Sequence, residues 1–207
     1  MAADNTESIK ITKPNVLVVE GKEEERLFGE LIRLLGLQDI QVMGIGGKTK
    51  LRAQLDVLTR TPGFAEVVSL GVARDANDNP AGAFQSVRDA LRAANLPVPK
   101  SPLVSVGDSP KVTVMIVPEE NTPGMLEDLC LKAVENDPAM PCVEEYFRCL
   151  QKQGHPLPHN ISKAKIQVFL ASRKHPDKQL GEAAQAGYWP LEGETFEQVR
   201  AFLQQIQ

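Results

Sequence analysis

The chain has 207 residues, 42% of them hydrophobic and 24% charged, a composition that buries a sizeable core and excludes both a disordered and a fibrous class. A formal charge of -4 does not advertise a nucleic-acid binder, although acids reserved for metal ions would give the same balance once the metal was bound. No run approaches the ~20 apolar residues of a membrane span, and the start Met-Ala-Ala-Asp has neither a basic nor an apolar leader region, so the chain reads as a cytoplasmic protein with no membrane partner. The first element is the apolar run Val16 to Val19, of strand length, which ends on Glu20 and Gly21. A helix follows, with Leu27, Phe28, Leu31, Ile32 and Leu35 in register. Ile40 to Ile45 reads as a second strand, Gly46-Gly47 as a turn, and Lys48 to Leu58 as a helix. Val67 to Ala73 is a third buried strand, closed by Arg74-Asp75-Ala76-Asn77-Asp78-Asn79-Pro80, and a helix carries Phe84, Val87 and Leu91. The Pro-rich segment 97–110 reads as a loop with a short strand at Leu103 to Val106. Val112 to Val117 is the next strand and Met125 to Val134 the helix after it.

Strands that alternate with helices predict an α/β fold, a Rossmann-like, mostly parallel sheet with helices on both faces. From about residue 137 only helices are expected, over 142–152, 161–172, 180–187 and 194–206. The expected division is an α/β domain over 1–136 and a helical C-terminal extension over 137–207, packed on the same domain.

A buried parallel strand that ends on a carboxylate puts that acid at the sheet edge where open α/β folds bind ligands. Glu24, four residues after Glu20, falls in the first turn of the next helix, so the turn can carry both carboxylates toward one point. Asp75, Asn77 and Asp78 follow the third strand, and Glu127 and Asp128 come shortly after the fourth. Acids from separate loops on one edge suit Mg²⁺ or Mn²⁺, which take a few carboxylates and keep waters for a phosphate to displace.

Other residues have simpler readings. Glu23 and Glu25 fit helix first-turn acids, which the macrodipole stabilises. Asp108 and the Glu119-Glu120 pair read as solvated loop residues. Cys130, Cys142 and Cys149 form an odd set without a disulfide framework, and six residues between Cys142 and Cys149 are too many for a zinc site with His155 and His159. Cys149 falls on an apolar stripe with Val143, Tyr146, Phe147 and Leu150 and reads as a small buried hydrophobe. Gly44 to Thr49 is not a P-loop, because Val42 stands where the first glycine belongs, although Lys48 could face a phosphate. Tyr188-Trp189-Pro190 is read as packing.

Val-Val-Glu-Gly with an acid at position 24, followed by an Asp-x-Asp-like element, resembles the Toprim domain of topoisomerases, primases and OLD-family nucleases over about residues 15 to 130. The segments Gly124 to Asp128 and Lys163-Ala164-Lys165 are further similar to the OLD-type branch, and the whole chain looks most like a small stand-alone Toprim-like family without assigned activity. The resemblance implies a Toprim-like fold and a Mg²⁺ or Mn²⁺ site made from Glu20, Glu24, Asp75, Asn77 or Asp78, and Glu127. It assigns Lys163 or Lys165 to the charge on a transferring phosphoryl group. Asn77 departs from the pattern, keeping an oxygen ligand while removing a charge. The implied activity is metal-dependent phosphodiester chemistry on nucleic acid, nuclease-like hydrolysis. The alternatives are a Toprim-like binding or regulatory module and a small-molecule phosphohydrolase.

Overall fold

The computed structural model describes residues 10–47 and 50–207. Its elements run β1 (Asn15–Val19), α1 (Lys22–Leu34), β2 (Ile40–Gly44), α2 (Leu51–Thr59), β3 (Ser69–Asp75), α3 (Pro80–Ala93), β4 (Lys111–Val117), α4 (Leu126–Ala133), α5 (Met140–Lys152), α6 (Ile161–Ala171), α7 (Leu180–Gln185) and α8 (Glu197–Gln205). The four strands form one sheet in the order β2-β1-β3-β4, and every pairing is parallel. Parallel strands are covered on both faces, which is why β1 and β4 read as near-continuous apolar runs.

The strand pleat divides the core in two. Leu17, Val19, Ala73, Met115 and Val117 face a layer that holds α1 and α4 through α8. Val16, Val18, Leu70, Val72, Val112, Val114 and Ile116 face α2 and α3. The last four helices therefore share one apolar core with α1 and α4. Among the described residues no helix is long and apolar enough to cross a membrane.

From β1 the chain steps to β2 on one side and then crosses to β3 on the other, so the strand order reverses between β1 and β3. In such sheets the helices diverge at that point and leave a crevice beyond the carboxyl ends of the two strands. Glu20 follows β1 and Asp75 ends β3. Both acids thus stand at the reversal.

Three local readings change. β3 continues through Arg74 and Asp75, because Asp75 pairs with Val117 although the apolar run has stopped. The short strand expected at Leu103 to Val106 is one antiparallel bridge, Val106 to Val112. Leu103 has a φ of 59°, which breaks an extended run, yet its N–H still donates to the Val114 carbonyl at 2.8 Å. On α5 the buried side chains are Met140, Val143 and Phe147, whereas Cys149 and Cys142 are exposed. Cys149 lies about 200° around the helix from Phe147, so the apolar stripe is narrower than its residue types imply. Only Cys130 is a buried thiol, and burial pushes its pKa up.

Candidate functional site

Glu20 leaves β1 at a turn that is bonded back onto it. Gly46 and Gly47 adopt φ of 72° and 109°, values that a side chain resists, and the Gly47 N–H donates to the Glu20 carbonyl at 2.8 Å. This holds the β2–α2 turn over the end of β1. Lys48 lies outside the described residues.

The Glu20 carboxylate meets Arg74, whose Nε is 3.1 Å from Oε1, with both side chains largely out of water. Val18 and Val72 are register partners, so residues two further along, Glu20 and Arg74, come side by side. Arg74 was not visible as a site residue from its type alone. The available signal was a charged residue inside an otherwise apolar strand, two positions past the partner of Val18.

Glu24, in the first turn of α1, folds back toward Gly21, where an added Cβ would lie 3.2 Å from its Oε2. Its pKa is raised, first by burial and then by the charges of Glu127 and Glu20, with Lys163 opposing. Its neighbours in the same turn have other tasks. Glu23 accepts the Gly181 N–H at 2.7 Å and so receives the start of α7, while Glu25 lies over Gly44.

Asp75 is the centre of the arrangement. Its Oδ1 accepts the backbone N–H of Leu126 at 3.1 Å, so the end of β3 caps the first turn of α4. Burial pushes its carboxyl up to about 8, and Glu20, Glu24 and Glu127 push in the same direction. Four acids from β1, α1, β3 and α4 therefore act on one another across the sheet edge.

Asn77 lies in the loop that leaves Asp75. It takes a left-handed φ of 49°, which Asn tolerates, and exchanges two main-chain hydrogen bonds of 2.7 Å with Gly124. Its Nδ2 donates to the Asp75 carbonyl at 3.4 Å. The residue ties the loop after β3 to the loop before α4. Asp78 is exposed, ahead of the Asn79 cap of α3, and is not among the charges that act on Asp75 or Glu24.

The two lysines separate. Lys163 Nζ is 3.6 Å from Glu127 Oε1, with Glu127 half-buried and Lys163 exposed. Lys165 instead pairs with Glu144 of α5 at 2.6 Å, away from the acids. Asp128 holds α6 in place, since its Oδ1 accepts the Ser162 hydroxyl at 2.5 Å and its Oδ2 accepts the Met125 N–H at 2.8 Å. Among the remaining candidates, Trp189 stacks on Phe169 at 5.4 Å and donates to the Leu180 carbonyl, and Glu119 pairs with Lys132 at the surface.

Hard carboxylate oxygens are the donor type that a divalent cation takes. The side chains are nevertheless partnered with Arg74, the Leu126 N–H and Lys163. Among the described residues no three His, Cys, Asp or Glu side chains stand close enough together to hold a metal as placed.

Residues 14–207 match the model of a family described as protein of unknown function (DUF3226). No curated protein matches. Among solved structures, a hypothetical protein from Pyrococcus horikoshii is similar at 16% identity and a TM-score of 0.60, over 94% of this chain and 95% of that one. That likeness is one of fold. The C-terminal region of an OLD protein from Xanthomonas campestris also matches, at 12% identity and a TM-score of 0.40, over 95% of this chain and 88% of that one. The C-terminal region of the Burkholderia pseudomallei OLD protein does so at 12% identity and a TM-score of 0.40, over 95% and 90%.

Proposed function

Because this chain belongs to the family described as protein of unknown function (DUF3226), we propose its function from the site itself: divalent-metal-dependent phosphodiester chemistry on nucleic acid, with hydrolysis as the reaction. The observation that supports it most is the gathering of Glu20, Glu24 and Glu127 around Asp75 at the reversal of the sheet, where burial first and then these three charges raise its pKa to about 8. Mutual repulsion of this kind is costly in a folded protein unless a cation or a proton relieves it. The order of the acids, with the strand-end Glu-Gly and the later Asp, is the order that resembles a Toprim domain.

In this reading Glu20, Glu24, Asp75 and Glu127 would hold Mg²⁺ or Mn²⁺. The ion supplies a more acidic water and a counter-charge for the leaving oxygen of a phosphodiester. Asp75 must lose its proton to serve. Asn77, through its main-chain pairing with Gly124, keeps the β3 and β4 loops at a fixed separation. Lys163 would meet a phosphoryl oxygen, a role supported by its exposure and its position beside Glu127.

A polyanionic substrate is supported by how charge is distributed. Between Asp137 and Leu180 basic residues outnumber acidic ones, and all 3 histidines of the chain fall there, although the whole chain is acidic. The α5–α6 loop borders the acids, since Asn160 Nδ2 lies 3.2 Å from Met125 Sδ and Lys163 reaches Glu127. Within this stretch, Lys163 is beside Glu127, where a phosphate approaching the acids would meet it.

The test is incubation with single- and double-stranded DNA and RNA in Mg²⁺ or Mn²⁺. Cleavage is expected from the wild type and not from Glu20→Ala or Asp75→Ala; product that persists in both variants would sink the assignment. The Arg74–Glu20 pair favours a second reading, a binding or regulatory module whose metal chemistry is weakened. Robust turnover by the purified protein excludes it.

A further inference from the structure

Helices α6 and α7 both begin at the acid edge of the sheet, although they follow one another in sequence. Lys163, in the first turn of α6, is 3.6 Å from Glu127, and its charge also acts on Glu24. The first turn of α7 rests on α1, because the Gly181 N–H donates to Glu23 at 2.7 Å and Glu182 meets Arg26 at 3.1 Å. A Cβ added at Gly181 would lie 2.8 Å from the Glu23 carbonyl, so the start of α7 sits directly on the turn that carries Glu24. With 11 residues, α6 is roughly 16 Å long. Residues 172–179 therefore have to carry the chain back toward the acids.

That return is anchored along its length. Arg173 pairs with Asp137 at 2.7 Å and lies 4.0 Å over the Phe169 ring, the His175 N–H donates to the Tyr188 hydroxyl at 3.2 Å, and Gly181 closes on Glu23. Arg173 is thus engaged within the fold. Lys174 is exposed and Lys178 half-buried, and among the described residues neither has a carboxylate within ion-pair reach. Asp177, the acid between them, is exposed and pairs with neither. An anchored chain holds its cations in place, so less freedom is lost when they meet a ligand.

On the nucleic-acid reading proposed above, we infer that residues 172–179 are a phosphate track, in which Lys174 and Lys178 hold the sugar–phosphate backbone of a nucleic acid. Lys178 precedes Gly181 by three residues, so its Cα lies within about 11 Å of the start of α7 on Glu23. Lys163 stands on the α4 side of the acids and Lys178 on the α1 side. The polymer passes between these two cationic arms. Contacts of this kind go to phosphate, so they position the strand without reading its sequence. The track works without a metal ion.

The experiment is fluorescence-anisotropy binding of labelled single-stranded DNA and RNA oligonucleotides in chelator, over a series of salt concentrations, so that neither metal nor cleavage contributes. The double variant Lys174→Gln with Lys178→Gln is compared with Lys13→Gln with Lys111→Gln, which removes two lysines at strand starts, the sheet edge opposite the acids. The track variant should bind on the order of tenfold more weakly at low salt, and its slope of log K against log[salt] should be shallower by about 1.4, the share of two phosphate contacts on a single strand. The strand-start variant should keep the wild-type affinity and slope, and Lys174→Arg with Lys178→Arg should keep them too, because the charge is retained. If wild type binds and the two Gln variants weaken equally, only net charge attracts the polymer, and the track is overturned while the nucleic-acid reading stands. If wild type binds neither polymer at about 100 μM protein, the weak end of non-specific binding, the track is overturned, and cleavage in Mg²⁺ or Mn²⁺ tests the proposed function by itself.

Discussion

Asp75 and Leu126 are joined by a hydrogen bond of 3.1 Å that spans 51 residues of sequence, so one carboxylate both ends β3 and caps α4. That bond favours the ionised acid, yet burial and three neighbouring carboxylates outweigh it and raise the pKa from 3.8 to about 8. An acid that binds its proton more tightly when folded favours the folded state while protonated. The advantage is present at low pH and is lost as pH rises from about 4 to about 8. Thermal melts in chelator should therefore show stability falling across this window, with a slope of at most about 1.4 kcal/mol per pH unit from this group. Glu24, raised for the same reasons, adds in the same direction. Asp75→Asn keeps the oxygen that accepts from Leu126 and should flatten the profile. A stability that rises from pH 5 to 8 would contradict the buried acid cluster.

The same proton competes with metal. On the proposed reading, Mn²⁺ affinity should increase by up to about tenfold per pH unit below pH 8 and level off above it, because binding must expel the proton from Asp75. Titrations at pH 6, 7, 8 and 9 measure this. An affinity independent of pH would show that Asp75 is not a ligand.

Lys163 and Lys165 look interchangeable in the sequence and are distinct in the fold. Lys163→Ala should reduce any nucleolytic turnover by about tenfold or more, the effect of removing a cation from a developing phosphoryl charge. Lys165→Ala should cost at most about 1 kcal/mol of stability, as expected for its pair with the exposed Glu144, and leave turnover unchanged. Equal losses of turnover in the two variants would show that neither acts through its place beside the acids.

Why the fold was more legible than the site follows from how each is built. Val16 to Val19 and Val112 to Val117 are apolar at every position because both faces of the sheet are covered, and no rival element explains such short runs between helices. The end of β3 was obscured because Arg74 and Asp75 interrupt the apolar run while the backbone ladder continues to Val117. Hydrophobicity tracks burial; hydrogen bonding to a neighbouring strand leaves no such mark. Glu20 and Asp75 were recognisable from the strands they follow. Their partners were not, since Arg74 reaches Glu20 only through the β1–β3 register and the Leu126 N–H reaches Asp75 only through tertiary packing. Cys149 was misplaced for a related reason, as residue type widened a helix stripe that packing keeps narrow.

The face of the sheet below Asp75 is closed by α8, and the closeness of that packing is testable at Gly71. A Cβ built there would lie 2.7 Å from Ile206 Cδ1, 3.1 Å from Phe202 Cζ and 3.2 Å from Leu17 Cδ1. All three neighbours are fully buried, so none can swing into solvent to make room. Gly71→Ala should destabilise the protein by about 1–3 kcal/mol, the usual cost of overpacking a filled core. Because Ile206 makes the shortest contact through its terminal methyl, Ile206→Val shortens the side chain where the new methyl needs space. The double variant should then be more stable than the sum of the two single losses predicts, with the coupling read from urea unfolding. Simple additivity would mean that α8 lies farther from β3 than these distances state. A coupling of the expected sign would instead fix α8 against the strand that carries Asp75, which ties the position of that acid to the packing of the last helix of the chain.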